Sequence, residues 1–442
     1  MVIFLAGATG LIGARVAEAL AAVGHSVVCG VRDPVAAAPR LGNCRLVTLD
    51  FSSLCDIASL VPLMDGVDVV INAVGIFSDA SGKEFRQLHT VAPVVLFKAA
   101  VAAGVRRIVQ ISALGADANA QSPYHRSKLA ADEALLALPV SSLIVQPSLV
   151  FAPEGRSTRF FAAWATLPVV PLPGAGAQRI QPVHIDDVVE LIVAGALASP
   201  SQEVSSEGPS RRVAAVGKEP LTLKEYLAVL RRVAGDSPGW FLPVPMPLVR
   251  LATRIGELLP GSLMSADALA MLERGNVAPT GRFERLVGHA PRALSEMAAD
   301  RERFGVPARL MWLLPMLRLS IAAVWIWTGV VSAGLYPRAS SVELLARVGA
   351  PGALAPLLLY GAAFLDLAFG VFSLGWPRSL GPRARLWTLQ IALIVLYTAL
   401  ISWRLPEFWL HPYGPLSKNL PMIALLTLLI QLDGRSGSTC KR

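Results

Sequence analysis

Charge is what this sequence has least of. Asp, Glu, Lys and Arg make up 16% of its 442 residues, against about 25% in an ordinary soluble domain. Apolar residues reach 54%, and the mean hydropathy is +0.54. A chain lying wholly in water is excluded, and part of it is expected in lipid. Cysteine is equally scarce: Cys29, Cys44, Cys55 and Cys440 show no CxxC spacing. That argues against a disulfide framework or a cysteine-ligated zinc site and suits a reducing compartment. The six histidines are scattered without ligand spacing, so no metal is expected. Acidic residues are too few to balance the basic ones, which leaves a net charge of +9. From Arg309 onward 12 Lys/Arg stand against 4 Asp/Glu, whereas the first 308 residues hold 28 and 27. The basic excess therefore belongs to the apolar C-terminal region, where cations flank hydrophobic segments. With no basic stripe interleaved with aromatics before it, nucleic-acid binding is not expected. Nor is a secretory leader, since the opening apolar run lacks a basic n-region and passes straight into a glycine-rich turn.

What is present reads first as alternating strands and helices. Val2–Ala6, His25–Val31, Leu46–Leu49, Val67–Ala73, Arg107–Ser112 and Ser142–Gln146 have strand character. Leu11–Val23, Val91–Ala103 and Ser127–Leu138 have helical character, ended by Gly24, Gly104 and Pro139. The alternation predicts an α/β fold with a doubly wound parallel sheet. The stretch from Phe151 to Pro307 is less regular and reads as a small substrate-side lobe, interleaved with the last elements of the sheet. The expected division is residues 1–200 for the nucleotide domain, 201–307 for the lobe and 308–442 for a membrane module.

That module holds four apolar segments, Leu313–Leu335, Leu354–Leu374, Leu386–Trp403 and Leu420–Leu432. A span needs about 20 apolar residues, so the first three qualify. The fourth is short and either crosses with help from residues 416–419 or lies buried. The module is predicted to be an all-α four-helix transmembrane bundle. Arg378, Arg383 and Arg385 lie between the second and third segments, and Arg435, Lys441 and Arg442 follow the fourth. This bias predicts a multi-pass protein of a bacterial-type inner membrane, with both termini and the nucleotide domain on the cytoplasmic side. Asp366 falls inside the second segment, and a shared place in the cytoplasmic half of the bundle predicts a partner in Arg318, with Gln390 nearby.

The strongest local signal is Gly7-Ala8-Thr9-Gly10-Leu11-Ile12-Gly13, directly after a strand and opening a helix. A tight turn at Gly7, close approach at Gly10 and helix–strand packing at Gly13 would aim the helix N-terminus at a pyrophosphate. Arg32 ends the second strand, where an arginine accommodates the 2′-phosphate of NADP and an acid selects NAD. NADP(H) is therefore expected over NAD(H). Asp33, before Pro34, reads as a turn cap, and Arg15 as either a helper or a solvated helical residue. Tyr124 and Lys128 lie one helical turn apart on the same face. An ammonium beside a phenol would lower its pKa and let it act as general acid or base. Without a sheet before it, the same pair would read as a solvated helix face.

Taken together, these motifs resemble the extended and atypical short-chain dehydrogenases/reductases over about the first 300 residues. Asn72-Ala73-Val74-Gly75 looks like that family's turn beneath the nicotinamide ribose, and Asp50-Phe51 stands where it contacts adenine. Ser112, Tyr124 and Lys128 match its catalytic set, Pro147 its proline near the nicotinamide, and Val183–Val188 a further signature of extended members. The resemblance implies a Rossmann fold and hydride transfer at a carbonyl or hydroxyl, with Tyr124 as acid/base. It is narrowest toward the subgroup of the NADPH-binding accessory subunit of respiratory complex I, some of whose members bind the nucleotide without turnover. The C-terminal module, with His411-Pro412-Tyr413-Gly414-Pro415 before its last segment, resembles the DoxX-like membrane family. That likeness implies a lipid bilayer as partner and a lipophilic substrate, with a quinone or a membrane protein as further partners. The alternative function is a catalytically silent NADP(H)-binding scaffold, assembly factor or sensor.

Overall fold

The computed structural model describes residues 1–77, 83–198, 211–256, 266–297, 301–412 and 414–436. Cys440, Tyr413, Lys441, Arg442 and the expected boundary at residue 200 lie outside these. The chain divides into two compact units, Met1–Arg309 and Leu310–Arg442.

The first unit is built on a sheet of seven strands: β1 (Val2–Ala6), β2 (Ser26–Val31), β3 (Arg45–Thr48), β4 (Val69–Asn72), β5 (Arg107–Ile111), β6 (Ser141–Pro147) and β7 (Arg212–Ala215). Their order is β7-β6-β5-β4-β1-β2-β3, with every pair parallel. The order reverses beside β1, the crevice where open α/β sheets bind ligands. Side chains alternate across each strand, so β1 feeds two cores. Ile3 and Leu5 join Val16 and Leu20 of the helix Leu11–Ala22 and Leu191 of the helix Ile185–Leu197. Phe4 and Ala6 join Leu96 and Phe97 of the helix Ala92–Ala102 and Leu135 of the helix Pro123–Leu136. Cys29 is fully buried in the first core.

Two helices depart from their expected boundaries. The one expected over 127–138 begins at Pro123, because Ser122 accepts the His125 N–H and Pro123 occupies a first-turn position that needs no N–H. Ala92–Ala102 is preceded by a π-helix, Arg86–Val91. A helix the sequence reading omitted, Pro34–Leu41, is capped by Asp33, whose side chain accepts the Ala36 N–H at 3.0 Å.

A smaller lobe has its own core of Phe151, Trp164, Leu223, Tyr226, Leu227 and Leu230. Its helix Leu223–Val233 starts with a capping box between Thr222 and Glu225. The lobe is tied to the sheet through the Val183–Val188 motif. There His184 caps the helix Ile185–Leu197, and fully buried Asp187 pairs with Arg292, which also holds Glu190 at 2.8 Å.

The second unit is helical. Among the described residues, three helices are long and apolar enough to cross a membrane: Gly305–Leu335, whose N-terminal end lies in the first unit, Gly352–Leu374 and Ala384–Arg404. Asn419–Asp433 is a shorter apolar helix. A further helix, Arg338–Val348, joins the first two. The expected Arg318–Asp366 pair is not what forms. Arg318 pairs with Asp433 near the end of the last helix, and Asp433 also accepts the Trp387 indole N–H at 2.9 Å. Asp366 is buried, with one oxygen unpartnered among the described residues. Gln390 bonds Trp325 and Ser373, both at 2.9 Å.

Candidate dinucleotide and active site

Because the strands are parallel, the turns that follow them converge on one edge. The register sets Ala6 beside Gly30 and Asn72, Val31 beside Thr48, and Ile111 beside Val145. The glycine loop, Arg32, Asp50, the Asn72–Gly75 turn, Ser112 and Pro147 therefore all lie at this edge.

The loop is a tight cradle. Gly7 adopts φ +84°, and Gly10 N–H closes the turn on the Gly7 carbonyl at 3.0 Å. A Cβ on Gly13 would sit 2.2 Å from the Gly7 oxygen, so the helix can pack this close only with glycine there. No side chain caps this helix at Gly10, so the first N–H groups, which have no intrahelical acceptor, can serve a pyrophosphate. Leu11 and Ile12 form its first turn and pack against the core. The Thr9 carbonyl accepts from Arg40 at 3.4 Å, a neighbour the sequence reading missed. The cradle fits a dinucleotide.

Arg32 is exposed, and no hydrogen bond or ion pair engages it among the described residues. Its charge and two bonds from Ser52 hold the Asp50 carboxyl below its usual range, the Ser52 bonds contributing most. Phe51 is buried, its carbonyl bonded by Gln87 at 2.9 Å. Arg15 is committed elsewhere, to Glu154 at 2.6 Å and Asp186 at 2.9 Å.

Beyond β4 the polar groups lock together. Asn72 is fully buried, donating to Gln110 at 2.8 Å and accepting the Val74 N–H at 3.2 Å. The Ala73 N–H reaches the Ala6 carbonyl at 2.9 Å. Lys128 lies beneath Gly75, its Nζ donating to the carbonyls of Val74 at 3.2 Å and Ile111 at 3.1 Å. Of its three N–H groups one is left without an acceptor among the described residues. Burial brings this amine down to about 8, against a smaller upward pull from Asp132.

Asp132, one turn further along the helix, went unnoticed in the sequence. It accepts the Ser112 hydroxyl at 2.5 Å, and burial pushes its carboxyl up to about 7. Ser112 is thus turned inward and buried. Tyr124 stands among the rings of Phe77, Phe85, His89 and His125, with centroids 5.4–5.9 Å away. Its phenol is pushed up to about 12, chiefly by burial and further by Asp132, opposite to the lowering expected from Lys128. His89 was also missed. Its Nε2 accepts the Ile76 N–H at 2.9 Å, so Nδ1 carries the proton toward Ser127 at 3.0 Å. The Pro147 carbonyl accepts the Leu114 N–H at 2.9 Å, shaping the turn after β5.

Known proteins divide the chain the same way. Residues 3–206 match the NAD dependent epimerase/dehydratase family, and residues 322–427 match the DoxX-like family. A mitochondrial NADH dehydrogenase [ubiquinone] 1 alpha subcomplex subunit 9 from Arabidopsis thaliana is 26% identical over 253 residues, 55% of this chain and 60% of that one. A ceramide reductase from Caulobacter vibrioides is 31% identical over 195 residues, 44% of this chain and 60% of that one. The match thus spans about three fifths of each relative. An Escherichia coli NADPH-dependent quinone oxidoreductase, solved with NADPH, shares the fold with a TM-score of 0.51 at 20% identity, over 67% of this chain and 98% of its own. With the parallel sheet and its glycine cradle at one end and apolar helices at the other, the chain joins an NAD dependent epimerase/dehydratase family domain to a DoxX-like membrane domain.

Proposed function

We propose that this chain is a membrane-anchored, NADP(H)-dependent reductase or dehydrogenase acting on the carbonyl or hydroxyl of a lipophilic, quinone-like or lipid substrate. The observation that carries the reading is Lys128, a buried amine with one N–H unspent beneath the Asn72–Gly75 turn and one helical turn from the Tyr124 phenol. The dinucleotide supplies or accepts the hydride when bound. The uncapped helix at Gly10 receives its pyrophosphate, and Arg32, free of other partners among the described residues, takes the 2′-phosphate. Tyr124 gives its proton to the substrate oxygen during reduction. Its high proton affinity suits a group that must be protonated at neutral pH before it donates. Lys128 holds the ribose and steadies the phenolate left behind. The apolar helices support a lipophilic substrate, as do a reductase of ceramide and a quinone oxidoreductase among similar proteins. The arginine distribution supports cytoplasmic placement of the nucleotide domain and both termini.

A second reading, a silent NADP(H)-binding subunit of a membrane assembly, is favoured by Ser112, whose hydroxyl is held by Asp132. One experiment separates the two. The full chain in lipid nanodiscs is given NADPH and a membrane lipid extract, and products are followed by mass spectrometry. Tyr124→Phe is expected to slow turnover about a hundredfold or more while NADPH affinity stays within about twofold, well under 1 kcal/mol. Undiminished turnover in the Phe variant removes Tyr124 as acid/base. Tight NADPH binding by the wild-type chain without any product leaves the silent reading.

A further inference from the structure

In the lobe, strand Trp240–Val244 pairs along one edge with Val169–Pro173 and runs through Pro245 into the helix Met246–Gly256. Both elements present large apolar side chains to the outside. Trp240 is 81% exposed and Leu242 54%, on the same face of the strand. Leu248, Leu251 and Ile255 are each more than half exposed. At about 100° per residue these three fall within roughly 60° of one another, while Val249 and Thr253 point inward and are buried. Arg250 and Arg254 border the apolar stripe on one side, Arg250 also meeting Glu273 at 3.0 Å, and the helix contains no acidic residue. Water does not favour a stripe of this kind, which marks a surface meant to be covered.

We infer that this strand–helix element docks the lobe onto the surface of a lipid bilayer bearing anionic headgroups. An amphipathic helix with an apolar face, flanking arginines and a neighbouring tryptophan has the chemistry of an interfacial helix. Its arginines complement phosphate headgroups. The chain itself supplies the proximity: the described helix reaches Gly256, and the first candidate span begins at Gly305. A tethered surface meets the bilayer at high effective concentration, so even modest affinity keeps it seated. The strand is ill suited to extension by a protein partner, because Pro243 and Pro245 remove N–H donors from this segment. Docking would bring the substrate-side lobe to the phase in which lipophilic molecules dissolve.

The test uses the full chain with its four cysteines replaced and a nitroxide introduced by Leu251→Cys. One copy is placed in each nanodisc of phosphatidylcholine with phosphatidylglycerol. The label is expected to collide with oxygen and to be shielded from a water-soluble nickel chelate, at a depth of about 5–10 Å below the headgroup boundary. The same label at Val23, exposed at the end of the helix Leu11–Ala22, should show the reverse. Nickel accessibility at 251 equal to that at 23 would overturn the inference. So would shielding that appears only in nanodiscs loaded with two copies, together with spin–spin broadening, which would reveal a second copy of the chain on this face.

Discussion

The two sides of the sheet's carboxyl edge treat polar groups differently. On the β1–β2 side no side chain caps the helix at Gly10, and Arg32 makes no hydrogen bond or ion pair among the described residues. On the β4–β5 side Asn72, Gln110, Lys128, Asp132 and Ser112 are joined in internal hydrogen bonds, leaving one N–H of Lys128 unspent. A group left open must find its partner in a ligand, while a group closed on its neighbours first serves the fold. Nucleotide binding is thus built into the backbone on one side, whereas chemistry on the other depends on how a preassembled network yields to substrate.

The sharpest way to break this contrast is at Gly13. Gly13→Val drives a side chain into the Gly7 carbonyl, and should cost about 3 kcal/mol of stability and abolish NADPH binding by calorimetry. Retained binding would mean the loop is not the cradle. Next comes the closed network. The Asp132 carboxyl stays protonated in the folded chain up to about pH 7, while in the unfolded chain it ionises near pH 4. The folded state therefore holds the extra proton between those values, and stability falls as pH rises through that window, by at most about 1.4 kcal/mol per pH unit. Asp132→Asn, which can still accept from Ser112, should flatten the fall in melting temperature between pH 5 and 7. Identical profiles for the two proteins would disprove the buried carboxyl's part. The smallest effect is on the open side. Arg32→Ala should weaken NADPH about tenfold, or roughly 1.4 kcal/mol, and NADH little. Equal losses would move the 2′-phosphate away from Arg32.

The open side was also the legible one. The glycine loop and six strands stand out because local pattern and backbone demand coincide there. The closed side hid its key member: Asp132 looks like an ordinary helical charge, and only its position four residues past Lys128, on the face of Tyr124, marked it. In the membrane unit, depth reasoning chose Asp366 for Arg318. Asp433, the residue just past the fourth apolar segment, was not weighed as a partner. Sequence spacing orders residues along one helix, while the partner across a bundle is fixed by packing.

The Asp187–Arg292 pair has a consequence for how the chain is made. The carboxylate is fully buried in the helix Ile185–Leu197, and its cation is encoded 105 residues later. A buried charge without its partner costs about 3–5 kcal/mol. Until residue 292 has been added, this helix can close on the sheet only with Asp187 unpaired or protonated. The first candidate span starts at Gly305, only a short way beyond. The residue that completes the nucleotide domain's buried ion pair and the start of the first candidate span are thus set close together along the chain.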